Sequence, residues 1–143
     1  MTGSQGNTGA QGGIGITGMY SGSTGVINIV LGGGLTVLET GIKGNITLPF
    51  NLTFDSWELT AGETGSILLG LWRSSYANYP PTSSSAMHSG ATGPAIIDGI
   101  KNYDTDLSDW GGVTGSYGDH VCINVDSIST IKNCSLSIKF HRN

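Results

Sequence analysis

The chain offers few side chains that do chemistry, and their spacing limits what that chemistry can be. Asp104-Thr105-Asp106-Leu107-Ser108-Asp109 sets three carboxylates within six residues, a density that suits Ca²⁺. The segment has neither the turn glycine nor the closing bidentate glutamate of an EF-hand loop, so aspartates that cap turns are the plainer reading. His88, His120 and His141 are isolated from one another in sequence. Three copies of one histidine can meet a metal on a trimer axis, but nothing in the spacing sets up that geometry, and surface or interface histidines are expected. Glu39, Glu58 and Glu63 are scattered near turns and strand edges rather than paired across a groove as glycoside hydrolysis requires. Gly13-Ile14-Gly15-Ile16-Thr17-Gly18 matches G-x-G-x-x-G in letters but follows no strand. The chain has no G-x-S-x-G elbow, Walker lysine, H-E-x-x-H or paired-cysteine motif, and the expectation is a non-enzymatic protein without cofactor or metal.

The remaining chemistry is recognition by aromatics. Tyr76, Tyr79, Tyr103, Trp110 and Tyr117 fall in polar stretches between strand-like runs, with Trp72 just before them. Such residues either stack on sugar rings or anchor an oligomer interface, and the sequence leaves both readings open. Asn45-Ile46-Thr47, Asn51-Leu52-Thr53 and Asn133-Cys134-Ser135 fit the glycosylation acceptor pattern. The N-terminus lacks the basic and apolar regions of a signal peptide, and alternating polar strands generate such triplets freely, so they carry little weight.

What must position these aromatics is a β framework. From Val26 onward short runs read as strands: Val26–Leu31, Leu35–Leu38, Asn45–Phe54, Trp57–Thr60, Ser66–Trp72, Asp119–Val125 and Ile131–Phe140. Cys134-Ser135-Leu136-Ser137-Ile138-Lys139-Phe140 alternates most cleanly, with serine and lysine outward and large apolar residues inward. No window supports an amphipathic helix, although Pro94–Lys101 has room for one turn. Two polar segments, Ser74–Asn102 and Tyr103–Gly118, are long for connections in a compact domain, and loops of that length are usually functional or held by a neighbouring subunit. The predicted fold is all-β, a jelly-roll-like β-sandwich head over residues 26–143.

Residues 1–25 are of another kind. Glycine recurs without a break at Gly3, Gly6, Gly9, Gly12, Gly15 and Gly18. A triplet glycine period is what a bundle of three polyproline-II-like chains demands, because only glycine fits at its crowded axis. The segment has no proline, so a run this short needs help from the head to trimerise, and a flexible Gly/Ser/Thr linker is the alternative.

Composition closes several classes. With six Lys and Arg, none clustered, and a net charge of −4, the chain cannot supply the phosphate contacts that drive nucleic-acid binding. No apolar run approaches the roughly 18 residues of a membrane span, and a soluble chain is expected. Cys122 and Cys134 fall on opposite faces of their strand patterns, since Cys122 alternates with Val121, Ile123 and Val125 while Cys134 shares parity with Leu136. A disulfide between them is therefore not expected.

The run Gly41 to Phe50, then Trp57-Glu58-Leu59, Gly65-Ser66-Ile67, Leu71-Trp72 and Tyr76-Ala77-Asn78-Tyr79-Pro80-Pro81-Thr82 resembles β-sandwich domains in structural proteins of tailed bacteriophages. So do Gly118-Asp119, Ile123-Asn124-Val125-Asp126-Ser127 and the closing Leu136 to Phe140. The similarity covers roughly residues 40 to 143. It implies a virion-surface protein, made in the host cytoplasm, that is a homotrimer bound to other virion proteins of capsid or tail. Such domains sit on fibres or decorate capsids, often behind a collagen-like or glycine-rich stalk, and contact with a host-surface glycan is a further implied partner. No catalytic residues belong to the resemblance. The chain departs from it at the front, where glycine triplets begin almost at once with no folded tail-docking domain before them.

Overall fold

The computed structural model describes residues 20–143. The glycine triplets Gly3 to Gly18 of the expected stem lie outside the described residues. Seven strands form the head: β1 (Thr24–Leu31), β2 (Gly41–Thr47), β3 (Leu52–Ser74), β4 (Ala95–Asp104), β5 (Thr114–Gly115), β6 (His120–Ser129) and β7 (Cys134–Arg142). All pairings are antiparallel, in the order β1-β7-β3-β6-β2, with β4 and β5 also bonded to β3. The all-β expectation holds, and the sheet curls on itself around one core in a sandwich-like way.

The curl follows from β3. Its first half pairs with β7 over Leu52–Ala61, its second half with β6 over Ser66–Ser74, and β4 runs along its other edge through both halves. The crease lies at residues 61–65, against the turn between β6 and β7. There Glu63 Oε1 accepts the backbone N–H groups of Lys132 and Asn133, and the Thr130 hydroxyl donates to the Thr64 carbonyl at 2.8 Å. Thr130 holds φ +64°, a left-handed conformation that a β-branched residue rarely adopts unless its surroundings impose it. Gly65 fits there because a Cβ would run into Ser129, Thr130 and Ile131. Glu63 is thus a turn clasp.

β3 was expected as three pieces, with Asn45–Phe54 joined to β2. Pro49 breaks that join, since β2 ends at Thr47 and β3 begins at Leu52. The break expected at Asp55-Ser56 is instead a bulge in a continuous strand, where the register against β7 shifts between Phe54 and Ser56. Buried positions move from Leu52 and Phe54 to Trp57 and Leu59, so the extra residue restores the inward face after a parity slip. Leu35–Leu38 is a loop rather than a strand, anchored by buried Leu38, whose N–H bonds the Ile131 carbonyl at 3.0 Å. Of Pro94–Lys101, the residues from Ala95 on belong to β4, and the segment makes no helical turn.

β7 follows its expected alternation, with Cys134, Leu136, Ile138 and Phe140 buried. Leu136 and Ile138 meet Leu59 and Trp57 on one side and Ile29 and Ile27 on the other. Each fully buried aliphatic side chain of this kind contributes about 1.5–3 kcal/mol. Among the described residues no helix is long and apolar enough to cross a membrane.

Candidate binding surface

The two long polar segments are built differently from each other, and the aromatics divide between them. Beyond β3, Tyr76 to Tyr79 makes a tight turn, with the Tyr79 N–H on the Tyr76 carbonyl at 3.2 Å. This turn holds two tyrosine rings beside His120, the first residue of β6, with centroids 5.0 Å (Tyr79) and 6.1 Å (Tyr76) from the imidazole. Strand register supplies the polar half of the surface. Thr47 pairs with His120 and Asn45 with Cys122, which brings the Thr47 hydroxyl and the Asn45 amide each to 3.4 Å from His120 Nδ1. Tyr76 is 81% exposed and Tyr79 47%. An adjoining cleft of about 280 Å³ is lined by Arg73, Ser74, Asn78, Pro81 and Ser84. The Ser74 hydroxyl is occluded there with no hydrogen-bond partner. Stacking faces next to an amide, a hydroxyl and an imidazole make a surface suited to binding a polar ring.

Cys122 lies under this surface. Its thiol is buried and directed at Asn45 Oδ1 at 3.7 Å, and burial raises its pKa, with a hydrogen bond to Tyr79 acting the other way. Cys134 is pushed up to about 11, first by burial and then by the Glu63 carboxylate. Both thiols are free. The opposite-face argument fits the unpaired state. Cys122, on the face opposite Val121 and Ile123, is nevertheless as buried as they are, because the tyrosine turn and Asn45 cover that second face.

Trp110 belongs to the interior. It was expected among the surface or interface aromatics, but it is 6% exposed, and its indole N–H donates to the Thr92 carbonyl at 3.0 Å. Its ring packs on His88 at 4.8 Å. His88 is a second correction, since a surface or interface position was expected and the ring is buried. The Leu71 N–H can only donate, so Nε2 accepts it at 3.1 Å and Nδ1 carries the proton to the Ser89 carbonyl at 2.7 Å. Met87 N–H bonds the Leu71 carbonyl, Gly112 N–H bonds the Met87 carbonyl and Leu69 N–H bonds the Pro94 carbonyl. Residues 86–94 and 107–112 thus form one body riveted to the end of β3.

The other aromatics do not join the cluster. Tyr103 is an exposed residue of β4 opposite Glu58. Tyr117, 76% exposed, sits on the turn into β6, with its N–H on Asn51 Oδ1 at 2.8 Å. Asp104 Oδ1 accepts the Asp106 N–H and Asp106 Oδ1 accepts the Ser108 N–H, both at 2.9 Å, so these carboxylates cap successive turns. The Ser108 hydroxyl and N–H hold the Asp106 carboxyl below its usual range. Among the described residues no three His, Cys, Asp or Glu side chains converge as metal ligands would. His141 pairs with Asp55 at 2.8 Å on the outer face of β7 and β3.

Sequence reasoning named Tyr76 and Tyr79 but missed His120, Asn45 and Thr47 as their partners. The signal for these was the alternation of Asn45-Ile46-Thr47, which points both polar side chains to the face opposite Ile46, and nothing local tied that face to His120.

No protein-family model and no curated protein sequence matches this chain. Among solved structures, a chain of a cyanophage Pam1 capsid asymmetric unit aligns over 87% of this chain and 89% of its own, at 14% identity and a TM-score of 0.34.

Proposed function

We propose that this chain is a non-enzymatic structural protein of a tailed-bacteriophage virion, a homotrimer whose jelly-roll-like heads stand on a short glycine-triplet stem as a capsid decoration or head fibre. The observation that carries the reading is the unbroken glycine period from Gly3 to Gly18 running directly into the first strand of an all-β head. A three-chain stem imposes three-fold symmetry on whatever follows it. The resemblance of residues 40 to 143 to phage β-sandwich domains points to the same class. Its partners are then its own copies and other virion proteins, and its place is the virion surface after synthesis in the host cytoplasm.

A tail-fibre or receptor-binding tip is the second reading, and the exposed Tyr76, Tyr79 and His120 surface favours it, because that surface has the make-up of a glycan site. Cryo-EM of the particle distinguishes the two by location. Deleting Met1 to Tyr20 tests the stem: the head is expected to fold and to lose attachment, and a truncated head that still decorates particles normally would move attachment to the head loops.

A further inference from the structure

Of the strands at the margins of the sheet, β1 is the one whose exposed apolar residues have no charged residue on the same strand; β4 also exposes Ile97 (80%) and Ile100 (50%), but Asp98, Lys101 and Asp104 stand among them. β1 bonds to β7 on one side and to no strand on the other among the described residues. Its outward residues Val26 and Val30 are 49% and 70% exposed, and its one outward amide, Asn28, accepts the Ser137 hydroxyl at 2.6 Å. Leu35 and Val37 in the following loop are exposed too, as is Ile42 at the start of β2. Where β1 and β2 approach each other the inward Ile27, Ile29 and Ile46 pack on the core yet stay only half-buried. From Tyr20 to Thr47 the chain has two charged residues, Glu39 and Lys43, and β1 itself has neither charge nor proline to deter strand pairing. Depletion of charge around an apolar centre is the compositional mark of a protein–protein interface.

We infer that this seam, β1 with the loop after it and the rim of β2, is where neighbouring copies of the chain meet around the three-fold axis. The inference rests on the trimer reading above and assigns its interface. The second observation behind it is where the stem enters. The glycine-triplet segment reaches the head at Tyr20, and the turn from Tyr20 to Ser23 is tied down by the Ser23 N–H on the Tyr20 carbonyl at 3.0 Å and the Gly22 N–H on the Arg142 carbonyl at 2.6 Å. Three residues lie between Tyr20 and Thr24, and an extended chain covers at most about 14 Å over those four steps. On the trimer reading, three chains meeting on one axis would deliver three β1 strands beside it, with their bare edges close enough to cover one another. β4 starts far along the chain from the stem and carries Asp98, Lys101 and Asp104.

The test uses the full chain and its oligomeric state by sedimentation at micromolar concentration. The wild type is expected at about three times the chain mass of 14.8 kDa. V26K/V30K is expected to sediment as a single chain while keeping the β circular-dichroism spectrum, and I97K/I100K on β4 to remain trimeric. A wild type that is monomeric overturns the trimer reading and this inference with it. A trimeric wild type whose V26K/V30K variant is also trimeric overturns the seam alone. If the lysine pair prevents folding, V30C and I97C treated with a short bismaleimide decide the matter: cross-linked dimers from V30C alone support the seam, and cross-links from I97C alone, or from neither, overturn it.

Discussion

β1 and β4 both run along a margin of the sheet, and only β4 is protected by its own chain. β4 pairs with β3 and breaks its ladder at Asp98, which takes φ +47° and bonds to Ser66, so that a bulge and charged side chains interrupt its free edge. Where β4 has not yet begun, residues 86–94 take its place beside β3 through the Trp72–Ala86 bridge and the Met87 and Leu69 N–H bonds. Among the described residues β1 has no bulge, charged side chain or covering strand, and its outward face carries Val26 and Val30 on either side of Asn28. A margin defended by its own chain can stay in solvent, whereas a bare one is a template for pairing unless something covers it. On the trimer reading proposed above, the difference separates the parts of the head that stabilise a single copy from the part that would join copies, and substitutions on each side sharpen or break the distinction.

The largest effect is expected directly behind the bare edge. Ile138, fully buried opposite Ile27 and Trp57, should not tolerate aspartate, because an unpaired buried carboxylate costs several kcal/mol against a total stability of about 5–15 kcal/mol. Ser137→Asp, one residue away and outward, should leave a folded head, losing only the hydroxyl bond to Asn28. Equal expression and equal melting temperatures for the two variants would mean that β7 does not present these faces.

On the defended side the stability resides in a peg rather than a strand. Trp110→Ala is expected to cost about 3–5 kcal/mol in chemical denaturation, since it empties the space against His88 and removes the bond to Thr92. Trp110→Phe should retain most of the packing and lose about 1 kcal/mol. If Trp110→Ala melted like the wild type, residues 86–94 and 107–112 would not be the single body that their hydrogen bonds describe.

These two sites also show what the sequence could and could not disclose. The alternation from Cys134 to Phe140 is a local signal, and it placed β7 and its inward face correctly. β3 was divided because a bulge and a turn both look like a break in period, and only pairing with β7 distinguishes them. Trp110 and His88 stand 22 residues apart in polar segments, and no spacing rule links them. Their burial is decided by backbone groups of Leu71 and Thr92 that any residue type supplies. The tyrosine surface was half legible for the same reason: Tyr76 and Tyr79 are neighbours in sequence, but His120 reaches them only through the ladder with Thr47.

A smaller effect is expected at alkaline pH, again behind β1, where Cys134 pairs with Leu31. The thiol is held near 11 in the folded head and near 9.0 without that environment. The folded state therefore keeps its proton longer. Its contribution is fully present below pH 9 and is lost as pH rises toward 11, on the order of 2 kcal/mol. Denaturation midpoints measured from pH 8 to 11 should fall more steeply for the wild type than for Cys134→Ala. Parallel curves would show that the thiol ionises as freely in the head as in the unfolded chain. Thiol reagents at pH 8 should label neither cysteine until the protein is unfolded, as both are buried with raised pKa values.

The smallest change in stability is expected at Tyr76, and its outcome decides between the two functional readings. The ring is 81% exposed and only leans on His120, so Tyr76→Ala should shift stability by less than about 0.5 kcal/mol. If the surface binds a glycan, the same substitution should weaken binding about tenfold, because a stacked ring is lost while the Thr47, Asn45 and His120 groups remain. If instead the tyrosines seal a contact with another copy, Tyr76→Ala should lower the melting temperature or release monomers, and the proposed β1 seam would not be the only contact between copies. A glycan array blank for the wild type, together with a stable trimer on capsids, would leave decoration as the reading and Tyr76 as an exposed residue without a ligand. Because His120 begins β6 beside Ser74, well away in the chain from the stem, a loss of binding with the trimer intact is the result that keeps ligand contact and subunit contact on different parts of the head.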